Sequence, residues 1–488
     1  MNQPHYFRVK QLWKLIDRIL HLKNCQVSGV NYIPNSNEIC LGKDHKLHLI
    51  FQSVYNNDID HDFGTVLPKI ELSNYDMTFV IPHGYAVYDC NLVICSDRTQ
   101  ELNIKINRLD YGNTEDKSNC YWRYVYPVKS DEWFLKICSQ TYIDDTGTHV
   151  GFSYLKPILG NGDMHVFITR RKEEYYMIIQ SGSMIDSDEM FKRVVSVTTA
   201  LGLVTGYKYG DYHFQIKSDD KDFCSVKSIS FGNIEETKHC NYRIVNNRWV
   251  DAYDMLGRYD YQKYAQKMLA SSIHDPNLYY DDNPMEADAF NGLVNLCYNN
   301  NNMLIAASML LEGSVLNILY QPSFYHVALE SITSAIMSDN NNDAQPPMPN
   351  DYYSKKVSPI LLAALNKIEN LPSDAKRIYT NRITNNLNNC TNQDKLTASF
   401  NKYGYKLTQW DLEAIKKRNS TFHGHLSNVN KELFDQQWDL FAVALRLHKL
   451  CCILLLKAAG YNGKILNNEV IYGVEDACKR KEPPYITI

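Results

Sequence analysis

The spacing of apolar residues changes once along the chain, and this change limits the folds that are open to it. Before about residue 248, apolar and polar residues alternate in short segments, as in strands with one buried face. From about residue 249 they recur every three or four positions, which is typical of amphipathic helices. We therefore expect an α+β chain: a β-rich domain over 1–248, connecting helices over 249–300, and an all-α bundle over 301–488.

The N-terminal part is predicted to be a mainly antiparallel sandwich or barrel-like body that follows one short helix. Residues 7–24 have helical spacing, and the later segments are short, rich in β-branched or aromatic residues, and bounded by Gly, Asn, Asp or Pro. Gly160-Asn161-Gly162-Asp163 is typical of a hairpin turn, since Gly and Asn tolerate positive φ. The predicted strands are 46–51, 77–81, 85–88, 92–94, 104–106, 165–169, 207–214 and 225–231.

One helix interrupts these strands. It is predicted from about Met190 to Leu201, with Asp186 or Ser187 as its N-cap and Gly202 and Gly206 as its stop signals. The C-terminal half is predicted to be helical throughout, with a polar tract that caps one helix at 299–302 and a Pro- and Asn-rich loop at 339–349. The predicted helices are 251–272, 286–298, 304–318, one opened by Pro322, 355–370, 373–390, 408–423 and 431–459.

Composition predicts a cytoplasmic protein without cofactor, metal or membrane association. The formal net charge of −4 argues against an extended basic surface for duplex nucleic acid, so any RNA site is expected to be a local patch. The apolar run Leu450–Leu456 is too short to span a bilayer, and the first residues lack the apolar core of a signal peptide. The thirteen cysteines show no Cys-x-x-Cys pairs, so free thiols in a reducing compartment are expected.

The residues with the clearest chemistry lie in the stretch Lys417-Arg418-Asn419-Ser420-Thr421-Phe422-His423-Gly424-His425, just before the most apolar helix. An arginine can hold a phosphate, and a histidine can transfer a proton near pH 7. Spacing alone is weak evidence, because an arginine and a histidine at this distance also arise by chance. The alternative is that both are ordinary polar residues.

The string Arg418-Asn419-x-x-x-His423-Gly424 resembles the Arg-polar-x-x-x-His motif of HEPN-domain ribonucleases, which are all-α modules common in bacterial defence. The layout of the whole chain, a β-rich half followed by a helical half, resembles the ApeA-type abortive-infection proteins. The resemblance implies a metal-independent endoribonuclease in an anti-phage system, with RNA, and transfer RNA as one candidate, as its substrate. It also implies that the β-rich half is a sensor or a substrate-guiding domain, and a phage protein is a candidate trigger.

The resemblance assigns roles to several residues. Arg418 would stabilise charge on the reacting phosphate, Asn419 would orient it, and His423 would act as general base or acid. HEPN enzymes often add an acidic residue within a Leu-Glu step of an earlier helix, which nominates Glu330, with Glu312 as a rival that has the same local sequence. Two neighbours of the string, Lys417 and His425, are expected to contact substrate, although His425 is open to a purely structural role.

Helical geometry adds a prediction about assembly. On a regular helix, Arg418 and His423 diverge by roughly 140°, because they are five residues apart. They converge if the helix is interrupted or if two copies of the motif face each other. HEPN ribonucleases dimerise to this end, so we expect a homodimer or larger homo-oligomer. The other interpretation left open is a non-catalytic HEPN module for dimerisation or nucleotide binding, with a β-rich domain that binds a ligand.

Overall fold

The chain folds as two units, Met1–Asn299 and Asn300–Ile488. A computed structural model describes all residues except 1–4, 30–35, 43–45, 55–65, 75–76, 89–92, 95–98, 129–136, 138–139, 146–148, 161, 211, 234–237, 241, 243–284, 339–345, 418–432, 481 and 484. The first unit carries nearly all of the strands and the second most of the helices, so the predicted two-part α+β organisation is confirmed. The helix predicted over 251–272 lies outside the described residues.

The first unit is built mainly from short strands. They are β1 His5–Phe7, β2 Gln26–Ser28, β3 Ser36–Leu41, β4 Leu47–Val54, β5 Ile70–Asn74, β6 Met77–Ile81, β7 Ala86–Tyr88, β8 Val93–Ile94, β9 Thr99–Ile106, β10 Arg108–Tyr111, β11 Tyr121–Val128, β12 Gln140–Asp144, β13 His149–Leu155, β14 Ile158–Leu159, β15 Gly162–Arg171, β16 Glu174–Ser181, β17 Tyr207–Lys208, β18 Tyr212–Ser218, β19 Val226–Asn233 and β20 Lys238–His239. Its helices are α1 Lys10–Leu20, α2 Ser187–Thr205 and α3 Ala287–Asn299.

Two sheets contain most of these strands. The large sheet has the order β1-β12-β13-β15-β16-β11-β18-β19-β10-β6-β5-β2, with β14 paired to β15, and the smaller one has the order β3-β4-β9-β7, with β8 paired to β9. β1 pairs with β12 in parallel, whereas the other described pairs in both sheets are antiparallel. The mainly antiparallel N-terminal region is therefore confirmed.

Residues from α1 and from both sheets share a single core. Ile16 of α1, Leu49 of the small sheet and Phe214 of the large sheet are all completely or almost completely buried within it. Each such side chain contributes about 1.5–3 kcal/mol relative to an exposed one. The alternation of apolar residues that predicted these strands is thus the alternation that fills this core.

The interrupting helix and the hairpin are found where they are predicted. Asp186 is the N-cap of α2, since its side chain accepts a hydrogen bond from the Glu189 backbone N–H at 2.8 Å. The helix continues through Gly202, where a stop was also predicted, and ends at Gly206, whose φ of 78° is the left-handed conformation that glycine adopts without strain. β14 and β15 form the hairpin, with Leu159 paired to Gly162.

The second unit is a helical bundle with one small two-stranded sheet. Its helices are α4 Asn301–Gly313, α5 Gln321–Ser338, α6 Asn350–Tyr352, α7 Ser358–Asn366, α8 Ser373–Asn381, α9 Asn392–Lys402, α10 Gln409–Lys416, α11 Leu433–Ala458, α12 Asn468–Ile471 and α13 Glu475–Lys479. Two π-helical turns, Tyr353–Val357 and Arg382–Asn386, extend α6 and α8. The strands β21 Lys464–Leu466 and β22 Tyr485–Thr487 pair antiparallel.

α11 is the central helix of this unit. Every residue from 443 to 456 is buried, so the helix is covered on all sides. α4, α5, α10 and α12 pack against it, and α9 packs against α5. No helix among the described residues is both long and apolar enough to cross a membrane.

Two predicted helices differ from the observed ones, and one observed helix was not predicted. α4 ends at Gly313 rather than near 318, and turns lead from it to α5. α9 is not among the predicted helices, although its N-terminus carries a capping box, a reciprocal pair of hydrogen bonds between Thr391 and Asp394. The helix predicted over 408–423 is observed from Gln409 to Lys416, and its remainder beyond residue 417 lies outside the described residues.

Candidate catalytic site and its buried ionic cluster

The predicted catalytic string lies between α10 and α11. Four predicted site residues, Arg418, Asn419, His423 and His425, are outside the described residues. Both flanks of the string are described, since α10 ends at Lys416 and α11 begins at Leu433. Because α10 packs against α11, the string connects two helices that are in contact.

Lys417 is the last described residue before the string. It is the C-cap of α10, and its backbone N–H donates to the carbonyl oxygen of Glu413 at 3.1 Å. Its side chain is exposed. The exposed ammonium group of Lys417 is therefore accessible to a substrate, as its predicted binding role requires.

The two candidate acidic residues lie on helices that pack against α11. Glu330 is on α5, between the buried Leu329 and Ile332, and is itself partly buried. Glu312 is near the end of α4 and is also partly buried. Which of the two carboxylates faces the string stays a prediction.

A cluster of buried and partly buried charges, which was not predicted, joins α10 to α11 and to the residues after α11. We call it the ionic cluster, and it consists of Asp411, Arg446, Lys449, Glu469, Arg480 and Glu482. Three carboxylates face three cations, so the cluster is balanced. A balanced, hydrogen-bonded arrangement offsets the large cost of removing charges from water.

Arg446 is the centre of the ionic cluster. Its Nε and Nη2 donate to the two carboxylate oxygens of Glu469 at 2.8 and 2.7 Å, which is the fork geometry that suits arginine and carboxylate. Its Nη1 lies 3.1 Å from Asp411 Oδ1, and its Nη2 lies 3.1 Å from Glu482 Oε1. Lys449 Nζ donates to Glu469 Oε2 at 2.7 Å. The guanidinium thus links three separate segments of the chain.

The charges of the ionic cluster shift its pKa values. Burial alone would lower the pKa of Arg446, but Glu469, Glu482 and Asp411 outweigh burial and raise that pKa above its usual value. Burial alone would raise the pKa of Glu482, but the charge of Arg446 and a hydrogen bond from Arg480 lower that pKa to about 2. Both groups are therefore charged over the whole physiological pH range.

Asp411 has two functions, because each of its carboxylate oxygens has a different partner. Oδ2 accepts hydrogen bonds from the backbone N–H and the hydroxyl of Thr408 at 2.8 and 2.7 Å, and this capping box starts α10. Oδ1 accepts from Arg446 of α11. The first turn of α10 is therefore attached to α11, seven residues before Arg418.

A buried thiol and imidazole on α11 resemble a catalytic pair but lack its chemistry. Cys452 Sγ lies 3.7 Å from His448 Nδ1. Burial lowers the pKa of His448 to about 3 and raises the pKa of Cys452 well above its usual value. Both groups are neutral near pH 7, so the thiolate that a cysteine nucleophile requires does not form.

Sequence reasoning missed the ionic cluster because its members are far apart in the chain. Arg446 and Lys449 are visible in the sequence only as interruptions of an apolar helix, and no local pattern pairs them with Glu469 or Glu482. The available signal was the cost of burying two cations in such a helix, which implies carboxylate partners.

Comparison with known proteins adds no assignment to this geometry. No family model, curated protein or solved structure matches the chain. Within the described ranges, no group of three or more His, Cys, Asp or Glu is arranged to hold a metal ion. The case for a function therefore depends on the residues and contacts themselves.

Proposed function

We propose that the C-terminal unit is a HEPN-type endoribonuclease that cleaves RNA without a metal ion and that the protein is an anti-phage abortive-infection effector. One observation carries the proposal: the Arg418-Asn419-x-x-x-His423 string directly follows a helix that is attached to the buried central helix of a mainly helical unit. A phosphate-binding cation and a proton-transfer group beside a rigid support meet the requirements of a catalytic site.

The proposed reaction uses the ribose as nucleophile. His423 removes the proton of a 2′-OH, and the 2′-oxygen attacks the adjacent phosphorus. The bond from phosphorus to the 5′-oxygen breaks, and a second histidine, from the other copy of the string, donates a proton to that leaving oxygen. Arg418 stabilises the charge of the phosphorane, and Asn419 orients it by hydrogen bonds. The products carry a 2′,3′-cyclic phosphate and a 5′-hydroxyl, and DNA is not a substrate.

Two described residues support this arrangement. Lys417 places an exposed cation next to Arg418, where it favours the approach of an RNA backbone. Glu330 is a partly buried carboxylate on α5, which packs against the helix that follows the string. In the proposed site, Glu330 forms an ion pair with Arg418 and holds it in place. The β-rich unit is proposed to sense the phage.

The test compares the wild type with His423→Ala on total bacterial RNA in EDTA, with the fragment ends mapped chemically. His21→Ala, a change at an exposed histidine beyond the end of α1, is the matched control. We expect cyclic-phosphate ends from the wild type and the control and none from His423→Ala.

The same assay is repeated with lysate from phage-infected cells, which supplies a trigger. If the wild type and His423→Ala give the same RNA fragments under both conditions, the nuclease proposal is wrong. A helical module without catalytic activity, together with a ligand-binding β-rich unit, would then explain the protein better.

A further inference from the structure

An exposed helical hairpin projects from the second unit between α5 and α9. We call residues 350–389 the arm. It consists of α6, the π-helical turn after it and α7, followed by α8 and the second π-helical turn. Its first limb, residues 350–366, is about 25 Å long at the rise of an α-helix. The two limbs pack against each other.

The arm is held together at its base by polar contacts. Asn388 Nδ2 donates to the carbonyl oxygen of Met348 at 2.9 Å, and Asn388 Oδ1 accepts from the Met348 backbone N–H at 3.1 Å. The Tyr353 hydroxyl donates to the carbonyl oxygen of Ile383, which joins the two π-helical turns. These contacts fix the register of the two limbs.

The arm buries very little of itself. Its buried residues are Tyr353, Ser358, Leu365 and Asn388. Several large apolar side chains are exposed instead, among them Ile360 at 70% and Tyr352 at 57%. The others are Ile368, Ile378, Tyr379 and Leu387. An exposed apolar surface of this kind marks a place where a partner binds.

The positive charge of the arm favours a polyanionic partner. The arm contains six Lys or Arg and three Asp or Glu, which gives it a net charge of +3, while the whole chain carries −4. All six cations are exposed, namely Lys355, Lys356, Lys367, Lys376, Arg377 and Arg382. The described ion pairs of Lys355 with Asp351 and of Arg377 with Asp374 are 3.6 Å long and exposed, so they compete weakly with a phosphate.

The cations form two groups along the arm. Lys355, Lys356 and Arg382 lie at the level of the two π-helical turns, which the Tyr353 hydroxyl joins. The other three cations lie around the far end, where α7 is followed by α8. From Lys355 to Lys367 the helix rises about 18 Å, a distance over which an RNA chain presents several phosphates.

We propose that the arm is an RNA-binding surface that holds the substrate of the nuclease, and this role rests on the proposed function. The exposed cations contact phosphates, and Tyr352 and Tyr379 stack on unpaired bases, which selects folded RNA with a single-stranded loop. Exposed aliphatic residues alone would equally suit a second copy of the chain, but a surface of charge +3 on each copy would repel its equivalent.

The test measures binding of the full-length protein to a fluorescent 2′-O-methyl RNA stem-loop, which cannot be cleaved through a 2′-OH. The arm variant is Lys355→Gln/Lys356→Gln/Arg382→Gln. The matched control, Lys395→Gln/Lys406→Gln/Lys479→Gln, removes three exposed charges elsewhere in the same unit. We expect the arm variant to bind at least roughly 10-fold more weakly than the wild type. The slope of log K against the logarithm of the salt concentration should become less steep by about 2 to 3. The affinity of the control should stay within about 2-fold of the wild type.

A second variant separates stacking from charge. Tyr352→Ala/Tyr379→Ala should weaken binding roughly 5-fold or more and leave the salt dependence unchanged, since stacking releases no counterions. The proposal is overturned if the wild type does not bind the stem-loop or if the arm variants bind as the wild type does. It is also overturned if Ile360→Ser/Ile368→Ser changes the oligomeric mass and leaves RNA binding intact, because the arm would then be a contact between copies.

Cleavage of unmodified RNA by the same proteins distinguishes this proposal from the nuclease proposal. Cleavage by an arm variant that binds normally contradicts the role of the arm and leaves the nuclease standing. Arm-dependent binding without any cleavage contradicts the nuclease and retains the arm as an RNA-binding surface.

Discussion

Arg446 links three carboxylates of the helical unit, which makes it a sensitive position for stability. Arg446→Met removes the cation shared by Asp411, Glu469 and Glu482, and the buried carboxylates are then left without it. We expect the free energy of unfolding to fall by about 3–5 kcal/mol, as when one partner of a buried ion pair is removed. Urea denaturation followed by circular dichroism measures this loss.

The control for Arg446 is Arg377→Met on the arm, where the arginine side chain is 78% exposed. We expect a change within about 0.5 kcal/mol, because exposed ion pairs contribute little. Equal effects of the two substitutions would show that the ionic cluster does not stabilise the fold.

Glu482 makes the stability of the ionic cluster depend on pH. Its pKa is lowered from 4.5 to about 2 in the folded protein, so the folded state binds fewer protons than the unfolded state between these values. The contribution of Glu482 is therefore complete above about pH 4.5 and is lost as pH falls toward 2. We expect the difference in unfolding free energy between the wild type and Glu482→Gln to shrink over this window in urea titrations at stepped pH. A difference that stays constant from pH 6 to pH 3 would contradict the assigned pKa.

At the scale of residues, sequence could predict local chemistry but not long-range pairing. The candidate residues around Arg418 and His423 are adjacent in the chain, so their pattern is visible without a structure. Arg446 and Glu469 are brought together only by the packing of α12 against α11. Pairing at such a separation leaves no periodic signal.

At the scale of elements, α10 is the helix whose position matters for the proposed site. Thr408→Ala removes the hydroxyl of its capping box and should cost about 1 kcal/mol of stability. Because the proposed catalytic string follows α10 directly, we also expect RNA cleavage to slow. Both quantities are measured, by urea denaturation and by single-turnover cleavage.

The chain contains its own control for that substitution. Thr391 forms the same capping box with Asp394 at the start of α9, and the catalytic string does not follow α9. Thr391→Ala should cause a similar loss of stability without slowing cleavage. If both variants cleave at the same rate, the position of α10 does not control the site.

Helices were predicted correctly where their local sequence signals, either end signals or apolar periodicity, were strong. α2 has strong signals at both ends, Asp186 and Gly206, and it is observed where it is predicted. Among the described side chains of α9, two are buried as apolar core, Leu396 and Phe400, so its periodicity is too weak to detect. The capping residue Thr391 was the better signal, because a cap does not depend on burial.

At the scale of the whole molecule, the divergence of Arg418 and His423 on a regular helix predicts a site shared between two copies. Mixed dimers of Arg418→Ala and His423→Ala contain one Arg418 and one His423 on opposite copies, so a site shared between copies keeps its phosphate-binding cation and one of its two histidines. We expect such mixtures, after exchange of subunits, to cleave RNA faster than either variant alone but to stay below roughly a quarter of the wild-type rate, because one proton-transfer group is missing. Mixtures as inactive as the separate variants would place both residues of a site in one copy.

The division of the chain into a sheet-rich and a helical unit could be predicted, because each periodicity persists over many residues. The arm was predicted as two helices, 355–370 and 373–390, but its exposure was not, since a helix with apolar residues is normally expected to bury them. Whether a helix is exposed depends on which other elements pack against it, and a single sequence does not contain this information.

The contact between Asn388 and Met348 has an evolutionary consequence. The arm leaves the bundle and returns to it at nearly the same point, because one amide spans both of its ends. Such an appendage can be shortened, replaced or lost without a change in the path of the helices that it interrupts. Selection can therefore alter the proposed RNA-binding arm while the helices beside the proposed catalytic string stay the same.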